Sequence, residues 1–482
     1  MNDKIVTRFA PSPTGYMHIG NLRTALYAFL IAKHADGTFI LRIEDTDRER
    51  LVEGATDVII KTLEMTGLSY DEGPDVGGDH GPYIQSERRP IYKKYAELLV
   101  ERGAAYYCFC SKERLEQLHE EDSNGGYDRH CRDLTPEEIQ KNLAAGLPYV
   151  IRQRMPLEGS TSYVDSVFGE ISIDNAELQD QILLKADGYP TYNFAHIVDD
   201  YLMGVTHVVR GSEYLPSTPK YALLYDAFGW ERPTYVHLPL LMGKNEDGSV
   251  SKLSKRHGAV SFQDLVLDGY LPEAIVNYIA LLGWCLKDSE AEFFTLDELK
   301  SVFTIDGINK SPSVFDFDKL LWFNGEYIRK MPFEDFKKSV SPFIKTALPE
   351  NINKDLMLSL AAGRLNKLSQ IDDMISFFLH LPAYETDLFL NKKNKVTLEN
   401  APVILKAARP ILESLDDWSN DTLYSALLPL AESLGVKSGA VMWCLRIAVS
   451  GLSVTPGGAT EIMAVIGKNE TLSRLDTAIS KF

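Results

Sequence analysis

Cysteine is scarce in this sequence, with five residues in 482. That is too few for the disulfide framework of a small secreted scaffold. Cys285 and Cys444 stand alone, where the ordinary expectation is a small buried apolar residue. Only Cys108, Cys110 and Cys131 lie close together in the chain. Long apolar runs are missing too. No stretch approaches the roughly 18 apolar residues of a membrane span, and the opening Met-Asn-Asp-Lys-Ile-Val has no apolar signal region. A cytoplasmic protein is expected. Basic residues are outnumbered, 50 Lys and Arg against 68 Asp and Glu, for a formal net charge of −18. This argues against a non-specific nucleic-acid coat, which needs dense Lys/Arg to neutralise phosphates. A protein that holds one RNA through a few focused basic patches still fits. There is no internal repeat and no low-complexity tract.

What is present is an ordinary globular composition, 45% apolar and 24% charged, in a chain long enough for two to four domains. Residues 4–10, IVTRFAP, read as a buried strand ended by Pro. NLRTALYAFLIAKHA follows with helical spacing, and GTFILRIEDTD gives a strand, Phe39 to Ile43, that emerges into acidic residues. Strand, helix and strand within about 40 residues make a βαβ unit and predict a parallel sheet. Functional loops then fall at the C-terminal strand ends, where APSPTG and EDTD lie. From 96 to about 190 the texture changes to short strands such as YVIRQRM and EISI, with the Cys-rich loop among turns. This reads as an α+β insertion. HVVRG then resumes the α/β pattern. After residue 256 the chain reads helical, with EAIVNYIALLGW and DTLYSALLPLAESLG each carrying one apolar face. NKKNKV at 391–396 reads as an inter-helix or inter-domain loop.

Two short stretches carry chemistry. In PSPTGYMHIGN, residues 11–21, a strand end runs into a helix, where exposed N–H groups and the positive helix end favour phosphate. Gly15 permits a tight turn, Gly20 permits close backbone approach, and His18 adds a side-chain donor. The alternative is a Pro/Gly turn with a surface His. About 230 residues later, SVSKLSKRHGA places Lys252 and Lys255 around Ser254 in a Ser/Gly-rich loop. Two ammonium groups spaced in this way stabilise charge that builds on a departing polyphosphate. A solvated basic loop is the alternative for either motif alone, and the pair together favours an ATP site.

HIGN and KLSKR resemble the HIGH and KMSKS signatures of class I aminoacyl-tRNA synthetases. The stretches RFAPSPTGYMHIGNLRTALYAFLIAKHADGTFILRIEDTD, GPYIQSERRPIY, GYPTYNFAHIVDDYLMGVTHVVRGSEYL, SKLSKRHGAVSF and FDFDKLLWFNGEYI resemble, in order, the bacterial glutamyl-tRNA synthetases. The likeness runs on to CLRIAVSGLSVTPGG and VIGKNETLSRL near the end. In that family Gly or Asn commonly closes the first signature, so Asn21 fits, and its amide can still donate a hydrogen bond. The resemblance implies a multidomain α/β protein. A Rossmann-like parallel-sheet catalytic domain (1–95 and 196–256) would carry an α+β insertion (96–195) that binds the acceptor end. A stem-contact region (257–322) and an all-α anticodon-binding domain (323–482, dividing near 385) would follow.

It also implies roles. ATP, with Mg²⁺, would meet Gly15, His18, Gly20, Asn21, Lys252, Ser254 and Lys255, with His18, Lys252 and Lys255 catalytic. Glutamate would meet Arg8, Ser12, Glu44, Tyr192, His196 and Arg210, with Glu44 on the ammonium and Arg210 on the side-chain carboxylate. That set suits a zwitterion with an extra carboxylate, which needs guanidinium partners and one carboxylate. The alternative for Arg8, Glu44 and Arg210 is an intradomain ion pair, and His196 stands where some relatives have Asn. Cys108, Cys110 and Cys131 offer three soft ligands for structural Zn²⁺. Relatives with a CxC…CxH arrangement would place His at 133, where this chain has Asp. Tyr127, His130 and Asp133 are candidates for the fourth ligand, and Tyr127 matches a Tyr-x-x-x-Cys pattern in a shorter glutamyl-queuosine paralogue. Reduced, metal-free thiols are the alternative.

Arg364 lies where the family has an anticodon-proximal Arg, against the alternative of a solvated helical face. The partners implied are L-glutamate and tRNA(Glu), with no DNA and no membrane, and a monomer is expected. Charging of tRNA(Glu) alone and charging of tRNA(Gln) as well both fit. A glutaminyl enzyme would end in β-barrels, the glutamyl-queuosine enzyme would lack the last roughly 160 residues, and a small nucleotidyltransferase would be far shorter. A non-catalytic RNA-binding paralogue should have lost some of His18, Glu44, Arg210, Lys252 and Lys255, and all five are present.

Overall fold

The computed structural model describes residues 4–121, 126–258 and 260–482, with the side chains of Arg48, His119, Glu121 and Lys255 outside the description. The chain forms two compact units. One comprises residues 1–265 and 275–316, the other residues 266–274 and 317–482.

In the first unit, strand β1 (Val6–Phe9) leads through the Pro/Gly turn into helix α1 (Ile19–His34), and β2 (Thr38–Leu41) returns parallel to β1, with Val6 opposite Thr38 and Phe9 opposite Leu41. This is the βαβ unit that the apolar spacing predicts. Helix α1 is buried on most sides, with Leu22, Ala25, Leu26, Tyr27, Phe29 and Leu30 all inaccessible. That is why its sequence shows little amphipathic contrast. The expected strand over 39–43 ends early for a reason. After Leu41 the backbone changes partner, so that Ile43 N–H bonds the Tyr83 carbonyl and Gln85 N–H bonds the Ile43 carbonyl. Arg42 and Glu44 then enter a buried cluster of charges.

Strands β3 (Ala105–Cys108), β4 (Val150–Gln153) and β7 (Ile182–Leu184) form an antiparallel sheet in the order β3-β4-β7. The hairpin of β5 (Ser160–Asp165) and β6 (Gly169–Asp174) instead joins β8 (His207–Gly211) and β9 (Thr234–Leu238) in the order β6-β5-β9-β8. β8 and β9 run parallel, and β5 meets β9 in parallel at the single pair Asp165 and Tyr235. The helix Tyr192–Leu202 precedes β8, and the helix Thr218–Phe228 links β8 to β9.

The second unit contains helices throughout, from Phe317–Lys330 to Ala459–Ile479. Its core is aliphatic and aromatic, including Leu423, Leu427, Val441, Leu445, Ile462 and Leu475. The segment NKKNKV is a tight turn closed by a bridge between Asn391 and Val396, so it links elements inside this unit. No described helix is long and apolar enough to cross a membrane.

Candidate active site

The strand ends of the first unit open into a cleft of about 1250 Å³. Its walls bring together Arg8, Ser12, His18, Gly20, Asn21, Glu44, Tyr192, Arg210, Lys252 and Ser254. Residues from both motifs and from the suggested amino-acid set therefore share one cavity. Gly15 and His196 lie outside the cleft wall, and the Lys255 side chain is outside the described residues.

The first motif is shaped by its cap. His18 is the N-cap of α1, and its Nδ1 accepts the Gly20 N–H at 3.0 Å. A neutral imidazole bonded in this way carries its hydrogen on Nε2, the donor that a phosphate oxygen requires. A Cβ at Gly20 would stand 3.2 Å from His18 Nδ1, close enough to press on the ring that caps the helix. Gly15 has φ +119°, which L side chains avoid.

The segment that follows the second motif, residues 260–263, is tied to the first motif. Ile19 N–H bonds the Val260 carbonyl and Phe262 N–H bonds the Met17 carbonyl, each at 2.9 Å. These bonds form an antiparallel bridge between His18 and Ser261. Gln263 adds a side-chain tie, its Oε1 accepting Met17 N–H at 3.0 Å. Lys252, at the end of a short strand (Val250–Lys252), is 67% exposed and 3.7 Å from Glu213. An ion pair so exposed contributes little and is readily exchanged for a ligand phosphate.

Arg8 and Glu44 do enter intradomain ion pairs. Arg8 Nε donates to Asp200 at 3.0 Å and Nη1 donates to the Val209 carbonyl at 3.2 Å. Arg42, fully buried, donates to Asp200 and Glu44 and lies 3.7 Å from Asp199. Gln85 donates to Glu44 and to Asp199. Burial pushes the Glu44 carboxyl up to about 7, against the pull of Arg42 and Arg8. Asp200 is held below the usual carboxylate range despite its burial, because Arg8 and Arg42 both face it.

Arg210 differs. It is 4% exposed and has no carboxylate partner among the described residues. Its acceptors are neutral: His237 Nε2 for Nε at 3.0 Å, Thr218 Oγ1 for Nη2 at 2.8 Å, and His196 Nε2 near Nη1 at 3.4 Å. The rings of Tyr214 and Tyr221 lie 5.3 and 4.8 Å from its guanidinium carbon. Burial and the neighbouring Arg210 hold His196 down to about 3, so it stays neutral. Its Nδ1 donates to the Tyr192 carbonyl at 2.7 Å, and its ring stacks under Tyr192 at 4.8 Å. His196 thus packs against Tyr192 and Arg210, both of which line the cleft. Three of the five guanidinium N–H groups have partners, which leaves two, the number that a bidentate carboxylate needs.

The charged cluster of Arg42, Asp199 and Asp200, and the Thr218 and His237 contacts, went unread in the sequence. The signal for the cluster was present: Arg and Asp pairs inside the apolar runs FILRIE and AHIVDDYLMG are charges where burial is expected.

Away from the cleft, the Sγ atoms of Cys108, Cys110 and Cys131 all lie within 4.8 Å of one another. Cys110 and Cys131 are 3.6 Å apart, and Tyr127 Oη is 3.2 Å from Cys108 and 3.7 Å from Cys110. Tetrahedral zinc with Zn–S near 2.3 Å places its ligand atoms roughly 3.5–3.8 Å apart, so the donor set fits. Burial raises the Cys108 thiol, but hydrogen bonds from Tyr127, Cys110 and Arg152 outweigh it and leave that thiol below its ordinary value. His130 is exposed, and Asp133 pairs with Arg154 at 3.2 Å. Tyr127 is therefore the fourth candidate that the fold brings to the thiols. Arg364 lies exposed in the turn after the helix Lys354–Ala362, beyond the helical face considered for it.

The family profile described as tRNA synthetases class I (E and Q), catalytic domain, matches residues 4–322, and the anticodon binding domain profile matches residues 318–479. The glutamate–tRNA ligase of Clostridium tetani is 54% identical over 483 residues, covering 99% of this chain and 98% of that protein. The glutamate–tRNA ligase of Clostridium kluyveri is also 54% identical, with the same coverage. Among solved structures, a glutamate–tRNA ligase from Elizabethkingia meningosepticum in complex with its amino acid superposes with a TM-score of 0.89 at 35% identity, covering 99% of both chains. The glutamate–tRNA synthetase of Elizabethkingia anophelis gives 0.90 at 36% identity, covering 99% of this chain and 100% of that one.

Proposed function

Because the chain belongs to the class I tRNA synthetases of the glutamate and glutamine branch, and is a glutamate–tRNA ligase, we propose that the cleft performs both half-reactions with the side chains described above. Arg210 pairs with the side-chain carboxylate of L-glutamate, supported from below by His196 and Tyr192. Glu44 takes the ammonium. Arg8, with Nε and Nη1 committed inward, presents the end of its guanidinium beside Ser12 to the α-carboxylate. The polyphosphate of ATP lies along Gly20, Asn21 and His18, in the turn that Gly15 shapes, with Lys252, Ser254 and Lys255 as its cationic and hydroxyl partners. Mg²⁺ arriving with ATP supplies charge neutralisation of the phosphates.

No side-chain nucleophile is needed. An α-carboxylate oxygen attacks the α-phosphorus, the new O–P bond forms, and the bond to the β-phosphate bridge breaks, releasing pyrophosphate. Lys252, Lys255 and His18 stabilise the charge on that leaving group, and catalysis is positioning plus electrostatics. A ribose hydroxyl of the terminal adenosine of tRNA(Glu) then attacks the acyl carbon and AMP leaves. Glutamate activation is proposed to require bound tRNA. Exchange of pyrophosphate into ATP with glutamate, run with and without tRNA(Glu), tests that point, and equal exchange in both contradicts it. The acceptor end is assigned to residues 96–195 and anticodon reading to 323–482, with Arg364 as one contact. Cys108, Cys110, Tyr127 and Cys131 would hold structural Zn²⁺, which ties together the loop ends that carry them.

The single observation that carries the amino-acid assignment is Arg210, a buried guanidinium whose partners are all neutral. A cation so placed is completed by an anionic ligand. Replacing it, as Arg210→Gln, should raise KM for glutamate by about 100-fold, the loss expected for a charge-assisted pair of roughly 3 kcal/mol, while KM for ATP stays within about twofold. A glutamate KM unchanged in this variant contradicts the assignment.

A further inference from the structure

Behind Arg210 the fold places a buried histidine–carboxylate pair that no reacting atom touches. His237, on β9, is fully buried, and its Nε2 accepts the Arg210 Nε–H at 3.0 Å. Its other nitrogen, Nδ1, lies 2.6 Å from Asp165 Oδ2, and both side chains are inaccessible. Asp165 closes β5, directly opposite Tyr235 in the register. Its two oxygens divide their work. Oδ1 accepts the N–H groups of Val167 and Phe168 and so shapes the turn into β6. Oδ2 accepts the backbone N–H of His237 at 3.1 Å and faces the ring nitrogen. A turn cap requires only the first oxygen, so the second is specific to His237.

We propose that His237, oriented by Asp165, is a positioning residue for the substrate's side-chain carboxylate. It holds the Arg210 fork in one orientation and keeps a lone pair, not a hydrogen, toward it. The assignment of Arg210 to glutamate given above is its premise. The chemistry follows from the hydrogen inventory of imidazole. With the Asp165 carboxylate on Nδ1, the hydrogen sits on Nδ1 and Nε2 is an acceptor. Burial holds the ring neutral, against the pull of Asp165. The Nε–H of Arg210 is thereby engaged. Thr218 Oγ1 accepts from Nη2 at 2.8 Å, its own hydroxyl donating to the Tyr214 carbonyl. A guanidinium clamped at three nitrogens by neutral acceptors keeps its full charge and loses its rotational freedom. Both properties favour a carboxylate over a neutral amide at the same place.

The test is steady-state charging of tRNA(Glu) by the full-length protein, with glutamate and ATP varied separately. Asp165→Asn keeps the shape but offers an amide NH₂ toward His237. The ring then takes its hydrogen on Nε2, and two N–H groups meet at Arg210. This variant and His237→Ala should each raise KM for glutamate about tenfold, with KM for ATP within twofold and kcat within threefold. His237→Gln places an amide oxygen where Nε2 accepts and should recover most of the loss seen in His237→Ala. Arg210→Gln is run alongside. If Arg210→Gln raises the glutamate KM while Asp165→Asn and both His237 variants leave it within twofold, the positioning role is overturned and the Arg210 assignment stands. If Arg210→Gln itself leaves it unchanged, both fail. Equal changes in the glutamate KM, the ATP KM and kcat, without rescue by His237→Gln, show a merely structural role and also overturn the proposal. Should Asp165→Asn not fold, the contrast between the two His237 variants decides alone.

Discussion

Glu44 shows how much one residue's surroundings decide. Its carboxyl sits three residues past β2, among Arg42, Arg8, Gln85 and Asp200, and burial raises it to about 7. An acid raised in the folded state contributes stability that is fully present below its ordinary value near 4.5 and is lost as pH rises through about 7. Ligand binding runs the other way, because an ammonium partner requires the ionised form. The specificity constant kcat/KM for glutamate should therefore rise with pH through an apparent value near 7, and the step should vanish in Glu44→Gln. A profile flat from pH 6 to 8 in the unmodified protein contradicts this. His196 adds no step in that range, since it is neutral throughout. Lys252 can be tested in the same way: Lys252→Ala should slow adenylate formation by about 10²-fold, the cost of one preorganised charge on a developing anion, measured in a single turnover with little change in glutamate affinity. Residues of this kind were legible because their types are unusual in context, as with His18 between glycines or two lysines around a serine. His237 was not, because a His in an apolar strand looks the same whether its partner is water or a carboxylate 72 residues away.

At the level of elements, the site depends on α1 being held where it begins. Its first turn is pinned by residues 260–263 through two backbone bonds, and Gln263 reaches both Met17 N–H and Thr62. Gln263→Ala should lower stability by about 1 kcal/mol, the net value of a typical hydrogen bond, and raise KM for ATP several-fold, since this seam holds the start of α1, which is proposed above to meet the polyphosphate. A change confined to stability, seen by thermal unfolding with unaltered ATP kinetics, would remove the seam from catalysis. The sequence showed that both motifs exist and that β1, α1 and β2 form a parallel unit. It could not show the seam, because backbone N–H and C=O groups are the same at every residue and their pairing leaves no mark on side-chain type. The hairpin of β5 and β6 was hidden for a related reason. Its alternation of buried and exposed residues is visible, but its union with β9 rests on one register pair.

For the whole molecule, the chain passes between its two units three times, at residues 265–266, 274–275 and 316–317. Leu271 and Ala274 belong to the core of the helical unit, and Leu271 N–H bonds Asn324 at 2.8 Å. Composition and helical periodicity located the helical half, but no local signal marks a nine-residue segment that leaves one core for the other. The cysteine cluster lies within the first unit and gives a further expectation: protein purified without chelator should carry about one zinc per chain by elemental analysis, and Tyr127→Phe should weaken retention by about tenfold or more. Well under one zinc per chain contradicts the metal assignment and leaves the catalytic reading intact. The cleft itself is tested most directly by pyrophosphate exchange into ATP in the presence of tRNA(Glu), with glutamate or glutamine as the amino acid. Strong exchange with glutamate, and at least about 100-fold less with glutamine, is the expected result, because Arg210 is completed only by an anion. Exchange that is absent with glutamate, or equal with the two, would contradict it.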